Sequence, residues 1–183
     1  MLSLFRKKIM ALPTREEINP HDDLDGRVAS DHFFGKSLEQ AEALFRENGD
    51  YYGSDLIWMG PIAFRYYVQA AIWLIKNEDE PRRVESIPSF VLAVEQRLQF
   101  EEQELRPIAG QLADVCRYIL EHYDVLGDLP ATEEETKALQ ESVRQQLMKL
   151  KDVLGEEVME RDYVDLRPRL RTLVEALSKL GEA

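Results

Sequence analysis

One apolar helical segment constrains the fold of this chain more than any other feature. Gly60 and Pro61 begin it, and proline is tolerated in a first helical turn, where its missing N–H would have no partner anyway. Over the next fourteen residues the only polar side chains, apart from two tyrosines, are those of Arg65 and Gln69, which share one narrow face. A helix that is apolar over most of its circumference is normally surrounded by other helices. We therefore predict a central helix over residues 60–76.

Other segments also carry apolar residues at helical spacing. Ser37 and Gln40 have the spacing of a capping box at the start of one helix, and Pro107 separates two later helices. No segment longer than a few residues alternates between apolar and polar side chains, as a strand would. We predict an all-α fold, a multi-helix bundle around the central helix.

The distribution of prolines, glycines and charges divides the chain into three parts. Residues 1–36 are expected to form a mostly irregular arm, with at most one short helix near Thr14 to Ile18. A helical core domain follows over residues 37–128, and residues 131–183 are predicted to form a C-terminal helical hairpin, packed on the core or on a partner. The last helix of this hairpin has a leucine stripe: Leu166, Leu170, Leu173, Leu177 and Leu180.

Two predictions concern the connections within the core domain. Gly49 and Gly53 are expected to end one helix and to leave Tyr51 and Tyr52 on a loop before the central helix. The segment 77–88 is rich in charges and holds two prolines, which predicts an irregular connection.

The net charge of −12 and the single cysteine exclude several classes of function. An acidic surface repels a phosphate backbone, so we expect no nucleic-acid partner. No apolar run approaches the roughly 20 residues that a membrane span needs, and the N-terminus does not resemble a secretory signal. One cysteine excludes an internal disulfide, and Cys116 is expected to be a buried, inert thiol. These features indicate a cytoplasmic protein.

A histidine- and aspartate-rich segment is one candidate metal site. When it is aligned with a calcium-binding loop, Gly26 takes the sixth position, but His21 and His32 take the first and last positions, where carboxylates are required. A transition metal held by the two histidines with Asp23 and Asp25 is the alternative that remains. Aspartate and glycine are also the ordinary composition of a loop.

A second metal hypothesis concerns residues 100–119. The run from Gln111 to Val115 is similar to the second motif of the all-α nucleoside triphosphate pyrophosphatases, a resemblance that implies magnesium bound by Glu101, Glu104 and Asp114. Gln111 replaces a carboxylate of that motif, and a neutral amide is a poor magnesium ligand. A solvated, charged helix face is the simpler interpretation.

The aromatic residues near the central helix provide a candidate binding site. Most of them are interpreted as core, because aromatic side chains supply large apolar areas. Tyr51, Tyr52 and Trp58 could instead line a pocket for an apolar or aromatic partner, with Arg65 binding a carboxylate. A neighbouring acidic side chain of the chain itself could satisfy Arg65 equally well.

The segment Trp58-Met59-Gly60-Pro61, followed by Phe64-Arg65-Tyr66-Tyr67, resembles an uncharacterised bacterial family of small helical proteins. The run from Glu95 to Glu101 adds to this resemblance, which covers residues 32–127. The resemblance implies a bacterial origin and a helical fold, and it carries no catalytic residue with it.

No complete catalytic constellation is present in the sequence, so we expect a non-enzymatic protein without a cofactor. Its expected role is protein–protein interaction, with a protein partner or self-association through the C-terminal helices. A metal-dependent hydrolase and a small-molecule binder at Arg65 and the tyrosines are the alternatives.

Overall fold

A computed structural model describes residues 11–77, 82–123 and 165–182 of the 183-residue chain. Throughout these ranges the regular secondary structure is helical, without strands, which confirms the all-α prediction. The α-helices are α1 (Arg15–Ile18), α2 (Leu24–Phe33), α3 (Leu38–Glu47), α4 (Gly49–Trp58), α5 (Pro61–Asn77), α6 (Arg82–Phe100), α7 (Glu102–Leu105), α8 (Ala109–Glu121) and α9 (Arg167–Glu182).

The central position of α5 is confirmed. It packs against α1, α3, α4, α6, α7 and α8, and most of its side chains are buried. The hydroxyl of Tyr67 donates a hydrogen bond of 2.6 Å to the carbonyl of Phe33, so a core helix also fixes the end of α2. The predicted capping box at the start of α3 is present as well, with both Ser37–Gln40 hydrogen bonds formed.

The expectation of an irregular segment before residue 37 is wrong in one respect. The predicted short helix is present as α1, but a ten-residue helix, α2, follows where a loop was expected. Asp23 caps α2, because its Oδ1 accepts a hydrogen bond of 2.6 Å from the N–H of Gly26. Gly26 does not break the helix; a Cβ there would lie 2.3 Å from Oδ1 of Asn19, so glycine permits this close contact.

The prediction that Tyr51 and Tyr52 lie on a loop is also wrong, because both lie on α4. The side chain of Asn48 caps this helix by accepting a hydrogen bond of 3.0 Å from the N–H of Tyr51. Gly49 and Gly53 lie one helical turn apart on the face of α4 that packs against α6. They interrupt nothing, since their missing side chains leave room for the neighbouring helix.

The predicted connection over residues 77–88 is shorter than expected. Helix α6 already begins at Arg82 and contains Pro88, whose ring is exposed. The packing of Ile87, Phe90 and Val91 in the core outweighs the cost of a proline within the helix. The predicted break at Pro107 is present, because a short 3₁₀ turn over Arg106–Ile108 leads into α8.

The last helix of the predicted hairpin belongs to the core. Helix α9 packs chiefly against α8, and the five stripe leucines, four in α9 and Leu166 just before it, are all buried. The guanidinium of Arg169 forms a paired hydrogen bond with the carboxylate of Glu95 on α6, and the N–H of Leu166 donates a 3.0 Å hydrogen bond to the hydroxyl of Tyr123. The first helix of the hairpin, predicted from residue 131, lies outside the described residues.

None of the helices in the described ranges is both long enough and apolar enough to span a membrane.

Candidate functional site

A hydrogen-bond partner on α4 holds the histidine at the end of α2. Nδ1 of His32 lies 2.7 Å from Oδ2 of Asp55. Asp55 is buried, with 9% of its side chain exposed, whereas 24% of the His32 side chain remains exposed. Burial raises the pKa of Asp55, and the hydrogen bond from His32 offsets part of this shift.

The rings of Tyr51 and Tyr52 surround this histidine. The centroid of the His32 ring lies 5.4 Å from that of Tyr51 and 5.2 Å from that of Tyr52, and the two tyrosine rings are 5.1 Å apart. All three contacts are tilted or edge-to-face, the geometry that aromatic quadrupoles favour. Tyr52 also contacts the buried ring of Phe33, so the cluster is anchored in the core at one side.

The exposed part of this cluster belongs mainly to Tyr51. Half of its surface is accessible to solvent, and Tyr52 is half-buried. Burial, followed by the negative charge of Glu47, raises the pKa of Tyr52, so its hydroxyl stays protonated at neutral pH. Neither tyrosine hydroxyl has a hydrogen-bond partner in the part of the chain that the structure describes.

The antiparallel arrangement of α2 and α4 creates the cluster. At one end, the N–H of Gly60 donates a 2.9 Å hydrogen bond to the carbonyl of Ile18, which places the segment before α2 beside the end of α4. At the other end, His32 contacts Tyr51 in the first turn of α4 and Asp55 near the middle of the helix. Two residues 23 positions apart in sequence thereby become a hydrogen-bonded pair.

The inner face of helix α4 packs closely against α6. A Cβ at Gly49 would lie 2.0 Å from Oγ of Ser86, and one at Gly53 would lie 2.1 Å from Oγ of Ser89. Two glycines therefore face two serines across a very close helix–helix contact. Because this contact fixes the rotation of α4 about its axis, it also determines which side of α4 faces away from the core.

A buried arginine that we did not predict as functional fixes the C-terminal end of α4. Arg97 is 5% exposed, and its Nη2 donates to the carbonyls of Leu56, Ile57 and Met59. Its Nη1 pairs with the carboxylate of Glu101, and its guanidinium lies 5.1 Å from the centre of the Phe64 ring. The carbonyl groups at a helix end need such donors. The available sequence signal was a single arginine among the apolar positions of α6.

We call the hydrogen bonds between Arg97 and the carbonyls at the end of α4 the clamp of Arg97. Trp58 lies next to this clamp and is 47% exposed. Tyr51, Asp55 and Trp58 are spaced four and three residues apart, so they share one side of the helix. Of the predicted binding residues, the structure therefore brings Tyr51, Tyr52 and Trp58 to one helix, and it adds His32 to the two tyrosines.

Arg65 is engaged elsewhere. Its Nη1 donates to a carboxylate oxygen of Glu104 at 2.7 Å and to the backbone carbonyl of the same residue at 2.9 Å. The alternative in which the chain's own acid satisfies this arginine is therefore the one observed. Arg65 therefore contacts α7, whereas Tyr51 and Tyr52 contact α2.

The structure does not bring the four residues proposed for metal binding together as a metal site. His21 and Asp25 are exposed, Asp23 caps α2, and His32 pairs with Asp55. Within residues 11–77, 82–123 and 165–182 there is no group of three or more histidine, cysteine, aspartate or glutamate side chains placed to hold a metal ion.

The carboxylates of the pyrophosphatase hypothesis are likewise dispersed. Glu101 pairs with Arg97, Glu104 pairs with Arg65, and Asp114 pairs with Arg117. Three carboxylates that bind three different arginines do not converge on one cation.

The single cysteine is buried, as predicted. Burial raises the pKa of the Cys116 thiol to about 12, so the thiol stays protonated at neutral pH. The nearby His122 is hydrogen-bonded through Nδ1 to the carbonyl of Tyr118, at 2.8 Å.

Comparison of the chain with protein-family models, with curated proteins and with solved structures finds no match, so the resemblance to a bacterial family stays a prediction.

Proposed function

We propose that this chain is a cytoplasmic, non-enzymatic helical protein that acts by binding another protein. The binding surface is the outer side of α4 together with the end of α2. We call it the α2–α4 surface and define it by His32, Tyr51, Tyr52 and Trp58.

The observation that carries this proposal is the pair of exposed aromatic side chains on α4. Tyr51 is 51% exposed and Trp58 is 47% exposed, and both lie on the same side of the helix. Tyrosine and tryptophan are enriched among the residues that dominate the free energy of protein–protein binding. They bury a large area at a low cost in conformational entropy, because each has only two rotatable side-chain bonds.

The rigidity of α4 supports the same proposal. The clamp of Arg97 holds its C-terminal end, and the contacts of Gly49 and Gly53 with α6 hold its inner face. A preorganised helix loses little conformational entropy when a partner binds. The α2–α4 surface is therefore suited to recognition without rearrangement.

The C-terminal helices are less suited to the role first expected of them. The leucine stripe of α9 is buried against the chain's own α8. Self-association through this stripe would require α9 to detach from the core. For this reason we place the partner on the α2–α4 surface.

Site-specific cross-linking tests the proposal. A photoreactive benzoylphenylalanine replaces Tyr51 in one variant and Phe100 in a matched control, because Phe100 is an aromatic residue that is 71% exposed at the end of α6. Both variants are irradiated in the cells that produce the protein, and the cross-linked peptides are identified by mass spectrometry.

We expect position 51 to give one discrete protein adduct that position 100 does not give, and the Trp58→Ala substitution to remove it. Equal labelling at both positions, or no adduct at position 51, contradicts a binding role for this surface.

A further inference from the structure

The chemistry of the α2–α4 surface indicates which group of a partner it binds. When Asp55 is ionised and the imidazole is neutral, Nδ1 of His32 carries the proton of the 2.7 Å hydrogen bond, and Nε2 keeps a lone pair. This nitrogen has no hydrogen-bond partner among the residues that the structure describes. In this state His32 presents a hydrogen-bond acceptor whose orientation is set by a buried carboxylate.

The two tyrosines place further acceptors and ring faces next to this nitrogen. Their ring centroids lie within 5.4 Å of the His32 ring, and their hydroxyl oxygens also lack partners in the described ranges. The face of a tyrosine ring attracts cations through its quadrupole. Three rings in mutual contact thus combine acceptors with a surface that favours positive charge.

The surrounding charge favours a cationic ligand as well. Residues 21–58 contain nine acidic and three basic side chains. Arg27 pairs with Asp22 and Arg46 lies 3.8 Å from Glu42, so two of the bases are offset by two of the acids and the excess of six acidic side chains is unchanged. Glu47 is close enough to raise the pKa of Tyr52. A positively charged segment is therefore attracted to this region.

We propose that His32, Tyr51 and Tyr52 bind the guanidinium group of an arginine in a basic segment of the partner protein. A guanidinium is planar, stacks on an aromatic ring and donates hydrogen bonds in its own plane, so it can contact Tyr51 with its face and Nε2 of His32 with its edge. A lysine ammonium offers no plane for stacking. This assignment rests on the proposed function and specifies the partner's chemistry.

Titration with a defined peptide tests the assignment. The probe is a synthetic peptide with four arginines separated by Gly-Ser pairs, and two control peptides carry citrulline or lysine at the same four positions. Binding to the full chain is followed by the NMR signals of the histidine and tyrosine rings. Citrulline keeps the shape of arginine and removes its charge, and lysine keeps the charge and removes the plane.

Two substitutions locate the binding, and a third serves as the control. Tyr51→Ala removes an exposed ring without touching the core. His32→Asn keeps an amide N–H near the position of Nδ1 for Asp55 and removes the Nε2 acceptor. Phe100→Ala removes a distant exposed ring.

We expect the arginine peptide to shift the His32 and Tyr51 signals, and each of the first two substitutions to weaken binding by about fivefold. Phe100→Ala should change nothing. Equal binding of the citrulline or the lysine peptide, or unchanged affinity in the Tyr51→Ala and His32→Asn variants, overturns the assignment. If cross-linking through position 51 persists while the arginine peptide fails, only the guanidinium assignment is wrong.

Discussion

Nδ1 of His32 lies 2.7 Å from Oδ2 of Asp55, and this hydrogen bond joins the last turn of α2 to the middle of α4. The carboxylate of Asp55 is buried and the imidazole of His32 is partly exposed. A group in the core therefore fixes the orientation of a side chain at the surface. Both the proposed binding surface and its preference for a guanidinium depend on this pair.

The first prediction concerns the dependence of stability on pH. Burial raises the pKa of Asp55 above its ordinary value of 3.8, so the folded chain holds this proton more tightly than the unfolded chain. The contribution of Asp55 to the free energy of unfolding is therefore greatest at or below pH 3.8 and is lost as the pH rises through the higher folded pKa. Asp55→Asn removes this dependence.

Urea denaturation at a series of pH values, followed by the fluorescence of Trp58 and Trp73, measures the effect. The free energy of unfolding of the wild-type chain should fall relative to that of the Asp55→Asn variant as the pH rises above 3.8. A difference that stays constant with pH, or one that changes in the opposite direction, would show that the carboxylate is not penalised by burial.

The second prediction concerns the contact between α4 and α6. Gly53→Ala places a methyl group 2.1 Å from Oγ and 2.9 Å from Cβ of Ser89, so rotation of the hydroxyl alone cannot relieve the clash. We expect a loss of about 1–3 kcal/mol in the free energy of unfolding, despite the better helix propensity of alanine.

Gly110→Ala is the matched control, because nothing lies within 4 Å of a Cβ at Gly110 in α8. It should stabilise the chain by about 0.5–1 kcal/mol. The Gly53→Ala, Ser89→Gly double variant should recover part of the loss. Similar results for the two alanine variants in thermal or urea denaturation would refute the close contact.

The third prediction concerns the clamp at the end of α4. Arg97→Met removes the donors of three backbone carbonyls and leaves Glu101 without its cation. We expect a loss of about 3 kcal/mol. Arg117→Met is the control, since Arg117 pairs with Asp114 at the surface and should change the stability by less than about 1 kcal/mol. Equal losses in urea denaturation would show that burial does not distinguish the two arginines.

The fourth prediction tests whether α9 is part of the core. Leu177 is fully buried, so Leu177→Ala should cost about 2–5 kcal/mol in the unfolding of the whole chain. Leu24→Ala, at a leucine that is 75% exposed, should change the stability by less than about 0.5 kcal/mol. If α9 were a detachable arm for a partner, Leu177→Ala would leave the unfolding transition unchanged.

The sequence predicts those helices whose signals are local. Three such signals were interpreted correctly: the apolar circumference of α5, the capping box at Ser37 and the leucine stripe of α9. Each depends on residues that are close together in sequence. Helix α2 and the first half of α4 were not predicted, because Gly26, Gly49 and Gly53 were interpreted as breaks. Their purpose is close contact with Asn19, Ser86 and Ser89, which periodicity cannot reveal.

Only part of the candidate site was predicted, because the rest depends on contacts between helices that periodicity cannot reveal. Tyr51 and Tyr52 were proposed from composition, and His32 was proposed only as a metal ligand. Asp55 was not identified, because its pairing with His32 depends on α2 being a helix that runs antiparallel to α4. Arg65 was correctly identified as a cation that needs a carboxylate, but the identity of that carboxylate depends on where α7 lies.

The central claim is that Asp55 holds His32 with its Nε2 as an acceptor at the surface. Long-range ¹H–¹⁵N NMR correlation of histidine-labelled protein at neutral pH identifies which ring nitrogen carries the proton. We predict that Nδ1 carries it and Nε2 does not, as expected when an ionised Asp55 accepts the 2.7 Å hydrogen bond from a neutral imidazole. A proton on Nε2, either with Nδ1 accepting from a neutral Asp55 or with both nitrogens protonated as an imidazolium, would contradict the account.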